Sequence, residues 1–484
     1  MALDALGRQG NLVVVEDDRE RSIPKGRLGR TARMGVRAGL EGARFAGTKA
    51  TNVVRSKDKR RERMDDVALQ SADRLVETLG TMKGAAMKMG QLASFIDTEY
   101  LPDEYRELYQ EKLGALRTSA PAMPWEKIKK VLDDEYDEPC EGLFDHIEHD
   151  AFAAASIGQV HRGVLPDGRR VAIKIQYPGV DAAIRADLSN AGMILRLAKA
   201  IAPGLDAKAV AGELKERVLE ELDYEYEAQN QRSFSRAYRG HPFIYVPDVL
   251  SRLSRNRVLV TEYVEGAGFE EVKQMDTEAR GRFGEIVFRF YLGSIYQLQH
   301  FNADAHPGNY LLMADDRVAF LDFGMTKRLD IDQIRLEEEV LKARLANDPE
   351  RLREKLHELG FLNNPQRIDA ERLMEHVDAV GGWYLEDGER ELTPEYVMSV
   401  IAAISDPRSD FYALMRRENV PANELMGRRM EIGVLAVLGQ LRARRNWHRI
   451  AREWWFGDEP ATELGREEHA FWASRAVPPP HLTP

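Results

Sequence analysis

The segment from Phe301 to Gly324, FNADAHPGNYLLMADDRVAFLDFG, constrains this 484-residue chain more than any other stretch. Asp304 and Asn309 stand five apart in a loop-like run, an apolar strand-like run from Val318 to Leu321 follows, and Asp322-Phe323-Gly324 closes the segment. Residues of these types in this order suit the carboxyl half of a phosphoryl-transfer site. That chemistry needs a carboxylate near the attacking oxygen and hard oxygen ligands for magnesium. Asp304 fits the first need, and Asn309 and Asp322 the second. An isolated DFG tripeptide carries little weight, because any strand end can place an Asp before a Gly turn. The D-x-x-x-x-N spacing, with an apolar strand and DFG behind it, is what narrows the reading.

Hydrophobic residues make up 43% of the chain and charged residues 31%, the balance of an ordinary globular protein. The single cysteine, Cys140, rules out an internal disulfide and has no sequence partner for a metal site, which suits a reducing cytoplasm. The start of the chain shows no basic region followed by a long apolar core. Apolar runs such as Ile432 to Leu438 fall far short of the roughly 20 residues that a membrane span requires. The net charge is -11, yet Arg19 to Arg63 holds 15 basic against 4 acidic side chains, so an acidic body carries a basic leader. Between Lys25 and Arg63 the cations alternate with glycines and a few apolar residues. Two readings stay open there: an arm lying on anionic membrane lipids, and a solvated linker. The expected location is cytoplasmic, peripheral at the inner face of the membrane, with no nucleic-acid partner.

Residues 64 to 95 read as a helix on which Lys88 and Gln91 share a face, and spacing alone makes them a surface lysine and a neighbour of a packing glycine. A second helix runs from Trp125 to Leu132. Next comes a loop of small residues (Ala153, Ala154, Ala155, Ser156, Gly158), a strand from Val160 to Val164, a Pro166-Asp167-Gly168 turn, and a strand ending in Val171-Ala172-Ile173-Lys174. Small residues let backbone amides approach phosphates, and Lys174 is the candidate to grip the α and β phosphates. A lysine in that role needs a carboxylate. A helix expected from Asp206 to Tyr238 offers Glu221, Asp223 and Glu227, of which Asp223 and Glu227 share one face; a solvated acidic face is the alternative. The strand RVLVTEYVEG places Glu262-Tyr263-Val264 where an adenine would meet the backbone between two lobes. Thr277 to Phe301 reads as an apolar core helix, and His306 as a loop-stabilising residue rather than a metal ligand. After Gly324 the pattern is helical to the end, with its tryptophans read as core.

Lys88-Met89-Gly90-Gln91, AAASIGQV, VAIK, ELDYEYEAQN, DAHPGN and DFG, in that order, resemble the UbiB (AarF) family of atypical protein-kinase-like proteins linked to coenzyme Q and other isoprenoid lipids. The resemblance covers about residues 25 to 330. It implies an α+β, bilobal protein-kinase-like fold with an added N-terminal helical extension and a helical C-terminal lobe. The corresponding divisions are a leader at 1–63, the extension at 64–142, an N-lobe at 143–265, a C-lobe core at 266–345 and a helical region at 346–484. It also implies that Lys88 and Gln91 sit on a helix over the active site, that Glu227 pairs with Lys88 and Glu221 with Lys174, and that Asp223 belongs to an acidic E-x-D motif. Asp304 would be the catalytic-loop aspartate, with Asn309 and Asp322 holding Mg2+ beside ATP or ADP. The implied activity is an unorthodox kinase or ATPase serving lipid biosynthesis, with quinone-like isoprenoid lipids and lipid-biosynthesis proteins as partners. This chain departs from the family's usual histidine and proline around the catalytic aspartate, carrying Asn302 and Ala305. A small-molecule phosphotransferase of the aminoglycoside or choline type and a nucleotide-sensing scaffold are the alternatives.

Overall fold

The computed structural model describes residues 123–155, 157–188, 216, 219–405, 421 and 424–475. The basic leader, the segment carrying Lys88 and Gln91, and Ser156 lie outside the described residues.

Helix α1 (Trp125–Tyr136) buries Ile128, Val131, Leu132 and Tyr136, one stripe at helical spacing. It outruns the expected end at Leu132 because Tyr136 is also held inside, its hydroxyl donating to the Leu253 carbonyl at 2.6 Å. Strands β1 (His146–Ile147), β2 (Ala153–Ala154), β3 (Gly158–Val164) and β4 (Arg170–Gln176) follow, then helices α2 (Val180–Leu188) and α3 (Tyr224–Ala237), then β5 (Ile244–Tyr245) and β6 (Val258–Glu262). The sheet runs β1-β3-β4-β6, antiparallel throughout, with β2 added against β3. The β3–β4 turn needs Gly168, whose φ is +84°. On β4 the two-residue period sends Val171, Ile173 and Ile175 into the core and Lys174 to the opposite face.

The second half begins with α4 (Phe269–Val272) and α5 (Thr277–Phe288), passes through a π-helical turn at Arg289–Gly293, and ends in α6 (Ser294–Leu298). The helix expected to reach Phe301 stops earlier, because Gln299 adopts a left-handed conformation with φ of 51° and turns the chain into β7 (His300–Asn302). Two small sheets then frame the catalytic segment: β9 (Val318–Phe320) lies between β8 (Tyr310–Leu312) and β5, and β7 pairs with β10 (Thr326–Arg328).

Helices α7 (Ile331–Leu345), α8 (Pro349–Glu358), α9 (Ala370–Leu385), α10 (Pro394–Ser405), α11 (Leu425–Leu441), α12 (Trp447–Trp455) and α13 (Glu463–Ala473) complete the fold. The region after Gly324 is therefore mostly but not wholly helical: besides β10, β11 (Arg390–Glu391) pairs with β12 (Arg444–Arg445). These helices share the core of the preceding lobe. Trp447 is fully buried with its ring 5.2 Å from that of Phe288, and Trp454 lies 5.7 Å from the same ring. The π-helical turn delivers Arg289, fully buried, to Glu285 at 3.0 Å, to Glu453 and Glu468 at 2.8 Å each, and to the Thr462 hydroxyl at 2.9 Å. A Cβ on Gly465 would lie 2.7 Å from that guanidinium, so only glycine lets α13 approach.

Cys140 does have near neighbours that its sequence position conceals, since Asp133 and Glu141 lie within ligand distance of it and of each other. The Lys129 ammonium already bridges both carboxylates, at 2.7 and 3.1 Å.

Candidate active site

Lys174 projects from β4 toward α3 and the DFG turn. Its ammonium donates to both oxygens of Glu227, at 2.7 and 2.9 Å, and to Asp322 Oδ2 at 3.2 Å. The resemblance assigned this lysine to Glu221, and the structure corrects that. The helix expected to run through to Tyr238 is broken at Glu221, Leu222 and Asp223, and α3 begins at Tyr224. Asp223 caps it, accepting from the backbone amides of Glu225 and Tyr226 at 3.0 and 3.4 Å. Glu221 thus precedes the helix in a buried turn, while Glu227, on its first full turn, reaches the lysine. Asp223 works as a cap on the exposed side. The pairing of Glu227 with Lys88 involves a residue outside those described; in this structure Glu227 is committed to Lys174.

Burial works against the Lys174 charge, but Asp322 and Glu227 outweigh it and hold the lysine's proton affinity well above the ordinary value. Burial also pushes Glu227 up to about 7, with the adjacent ammonium opposing the shift.

The DFG turn is held from several sides. Gly324 N–H donates to Asp322 Oδ1 at 2.9 Å, Asn230 from α3 donates to the Phe323 carbonyl at 3.4 Å, and the Asn302 amide donates to the Asp322 carbonyl at 2.6 Å. Asn302 also accepts from the Asp304 N–H at 2.9 Å. In this chain, then, Asn302, two residues before Asp304, ties the Asp304 loop to the DFG turn. Asp304 receives the Asn309 amide on Oδ2 at 3.0 Å, and the Tyr291 hydroxyl donates to its carbonyl at 2.9 Å. His306 accepts from Gly308 N–H at 3.0 Å, shaping the loop. His300 sits behind it, 3.0 Å from the Thr326 hydroxyl and held neutral by burial, which lowers it to about 3.

One residue of the site has no motif in the sequence. Arg429, on α11, donates to Asp304 Oδ1 at 2.6 Å, and both side chains are mostly buried, at 10% and 18% exposure. It lies 125 positions from its partner.

The remaining candidates divide. Ala154 lies in β2, and Ala155 N–H donates to the Gly158 carbonyl at 2.9 Å, closing a tight turn at the edge of the cleft. The absence of a side chain at Gly158 is explained by packing, since a Cβ there would lie 2.2 Å from the Ile175 carbonyl oxygen. The Glu262 carboxylate is committed within the protein, accepting from the Tyr245 hydroxyl at 2.8 Å and from Asp248 N–H at 2.9 Å, and the Glu262 N–H donates to the Asp248 carbonyl at 3.0 Å.

A lysine–glutamate pair joined to a DFG aspartate, opposite a D-x-x-x-x-N loop, is the arrangement of protein-kinase-like folds. Residues 115–356 match the ABC1 atypical kinase-like domain, half of the chain. The chain belongs to the ABC1 family of atypical kinases. Among curated relatives of this ABC1 chain, "Atypical kinase COQ8B, mitochondrial" of Danio rerio is 31% identical over 64% of the chain and 50% of the relative. "Atypical kinase COQ8, mitochondrial" of Saccharomyces cerevisiae is 31% identical over 53% and 50%. The chain thus spans about half the length of these relatives. A solved structure of Rv3197 from Mycobacterium tuberculosis, in complex with erythromycin, is 30% identical with a TM-score of 0.59, covering 84% of this chain and all of that one. The UbiB resemblance and the bilobal kinase-like fold it implied hold. No helix among the described residues is long and apolar enough to cross a membrane.

Proposed function

We propose that this ABC1-family chain binds a magnesium nucleotide in the cleft and hydrolyses or transfers its terminal phosphoryl group in support of quinone or other isoprenoid lipid synthesis at a membrane surface. The observation that carries the reading is the convergence of Lys174, Glu227 and Asp322, which come from three separate segments. The donor set fits the groups it would hold. Asp322 offers a carboxylate that is 35% exposed to the cleft, and the Asn309 amide nitrogen is spent on Asp304, which turns its oxygen into the available ligand atom. Bound magnesium would neutralise phosphate charge. Lys174 would orient the phosphates, Glu227 fixes Lys174, and Asp304, held by Arg429 and Asn309, would accept the proton of the attacking hydroxyl or water. The names of the COQ8 relatives support the lipid assignment, and the basic leader supports a membrane surface.

The test is magnesium-dependent ATP hydrolysis by the purified full chain, with and without anionic liposomes and quinone-like phenols. Turnover that Asp322→Asn abolishes is expected. No turnover under any condition, with Asp322→Asn indistinguishable from the parent, would count against the proposal. The erythromycin complex of the Mycobacterium relative favours one further reading, a site for a bulky small molecule, which calorimetry with erythromycin in the same preparation decides.

A further inference from the structure

The helices behind the active site line a partly open cavity of about 260 Å³ that phosphoryl transfer does not use. Its walls come from α6, α7, α8, α9 and α11 and are mostly apolar, with Leu356, Phe361, Leu373, Val380, Met430 and Ile432 among them. For scale, roughly 150 Å³ of apolar cavity is enough to take up benzene. Three carboxyl groups stand in this apolar wall: Glu337 on α7, Glu424 at the N-cap of α11, and Glu431 on α11. The only lysine or arginine among the described lining residues is Arg428, whose guanidinium lies over the Phe361 ring at 4.9 Å. Tyr384 in the wall donates to Glu431 at 3.2 Å, and Gln333 of α7 donates to Glu337 at 3.4 Å and to Glu424.

Acids set in an apolar wall cost free energy unless something offsets their desolvation. Here burial, followed by repulsion from the neighbouring acids, pushes Glu337 up to about 8, and burial raises Glu424 and Glu431 as well, with Arg428 opposing at both and Lys327 at Glu424. A neutral occupant would leave Glu337 holding its proton and an anionic one would raise it further, whereas a cation beside the acids lets them ionise against it. A cation with an apolar body answers both the walls and the charge.

We propose that this cavity is a binding site for a small lipophilic cation, an apolar body ending in a protonated amine that lies against Glu337 and Glu431. The site also has a mechanical link to the cleft. Helix α11 supplies Arg428, Met430, Glu431 and Ile432 to the wall and, between them, Arg429 to Asp304. Whatever fills the cavity therefore bears on the helix that grips the catalytic aspartate.

The experiment is calorimetry and thermal shift on the full chain at neutral pH with 4-phenylbutylamine, 4-phenylbutanol and 4-phenylbutyrate, three ligands of one shape and different charge. The amine is expected to bind at least about tenfold more tightly than the alcohol, the difference a charge-assisted contact makes, and the acid not at all. Val380→Trp, which intrudes on the cavity, should weaken amine binding, and Glu337→Gln combined with Glu431→Gln should bring amine and alcohol to the same affinity. Equal affinity of amine and alcohol for the parent would reduce the cavity to an unspecific apolar void and overturn the proposal. Undiminished amine binding by Val380→Trp would place the amine in the acidic nucleotide cleft and overturn it equally. Should Val380→Trp fail to fold, the two glutamine substitutions decide alone: amine preference that survives both sinks the proposal.

Discussion

Replacing Lys174 by methionine would leave Glu227 and Asp322 facing each other across the space the ammonium now fills. Removing one partner of a buried ion pair costs about 3–5 kcal/mol, and the lower end applies because Asp322 is 35% exposed. Lys174→Met is expected to lower the thermal midpoint and to abolish stabilisation by nucleotide, both read in one thermal-shift series. Glu227→Gln should weaken nucleotide binding and Glu221→Gln should not, since of these two acids Glu227 is the one hydrogen-bonded to the lysine. Arg429→Met removes the guanidinium from Asp304 while leaving the Lys174 cluster intact. A hydrogen bond to a charged group contributes about 1.5–3 kcal/mol, so kcat should fall on the order of 10- to 100-fold with little change in nucleotide affinity, as steady-state ATPase kinetics and calorimetry would show. Lys174, Asp304, Asn309 and Asp322 are legible in the sequence because each stands at a fixed offset within a short motif. The choice between Glu221 and Glu227 was not, because it turns on where α3 starts, and a run of acids hides its own cap. Arg429 was invisible for a different reason: nothing local marks a surface-like arginine on an apolar helix as the partner of a residue 125 positions away.

Among the elements, the strands were the easiest to read, since two-residue alternation and a Pro-Asp-Gly turn announce β3 and β4. The long helix beneath the catalytic loop misled at both its middle and its end. A π-helical turn has no pattern of its own in a uniformly apolar run, and the left-handed Gln299 is a residue type that rarely signals a stop. Helix α7 carries a consequence in solution. Glu337 ordinarily titrates at 4.5, and burial lifts it to about 8 beside Glu424, Glu431 and Glu338, with Gln333 opposing. The folded protein then holds that proton more tightly than the unfolded chain. The resulting stability is complete below the unfolded value of 4.5 and is lost as pH rises through about 8. Glu337→Gln keeps the shape and removes the titration. Thermal midpoints of parent and variant, measured across that window, should diverge with rising pH in favour of the variant. Parallel curves would show that Glu337 is solvated in the folded state.

At the scale of the molecule, the helices after residue 346 are part of the lobe that holds the catalytic loop. Phe288 on α5 packs against Trp383, Trp447 and Trp454, so the central helix of the kinase-like lobe has its apolar face completed by chain that arrives 95 or more positions later. The charge balance has the same dependence. Arg289 takes Glu285 from its own helix, but Glu453 and Glu468 come from α12 and α13, and without them a guanidinium with no exposure would keep a single carboxylate. A chain ending at Ser405 would also lose α11, and with it Arg429. Such a truncation should be insoluble or lack a cooperative unfolding transition, and the full chain should unfold its carboxyl-terminal helices together with the catalytic lobe. Differential scanning calorimetry and limited proteolysis check both statements. A truncated chain that melts cooperatively near the parent midpoint would mean that the tryptophan helices are an appendage, and that the catalytic loop is supported without them.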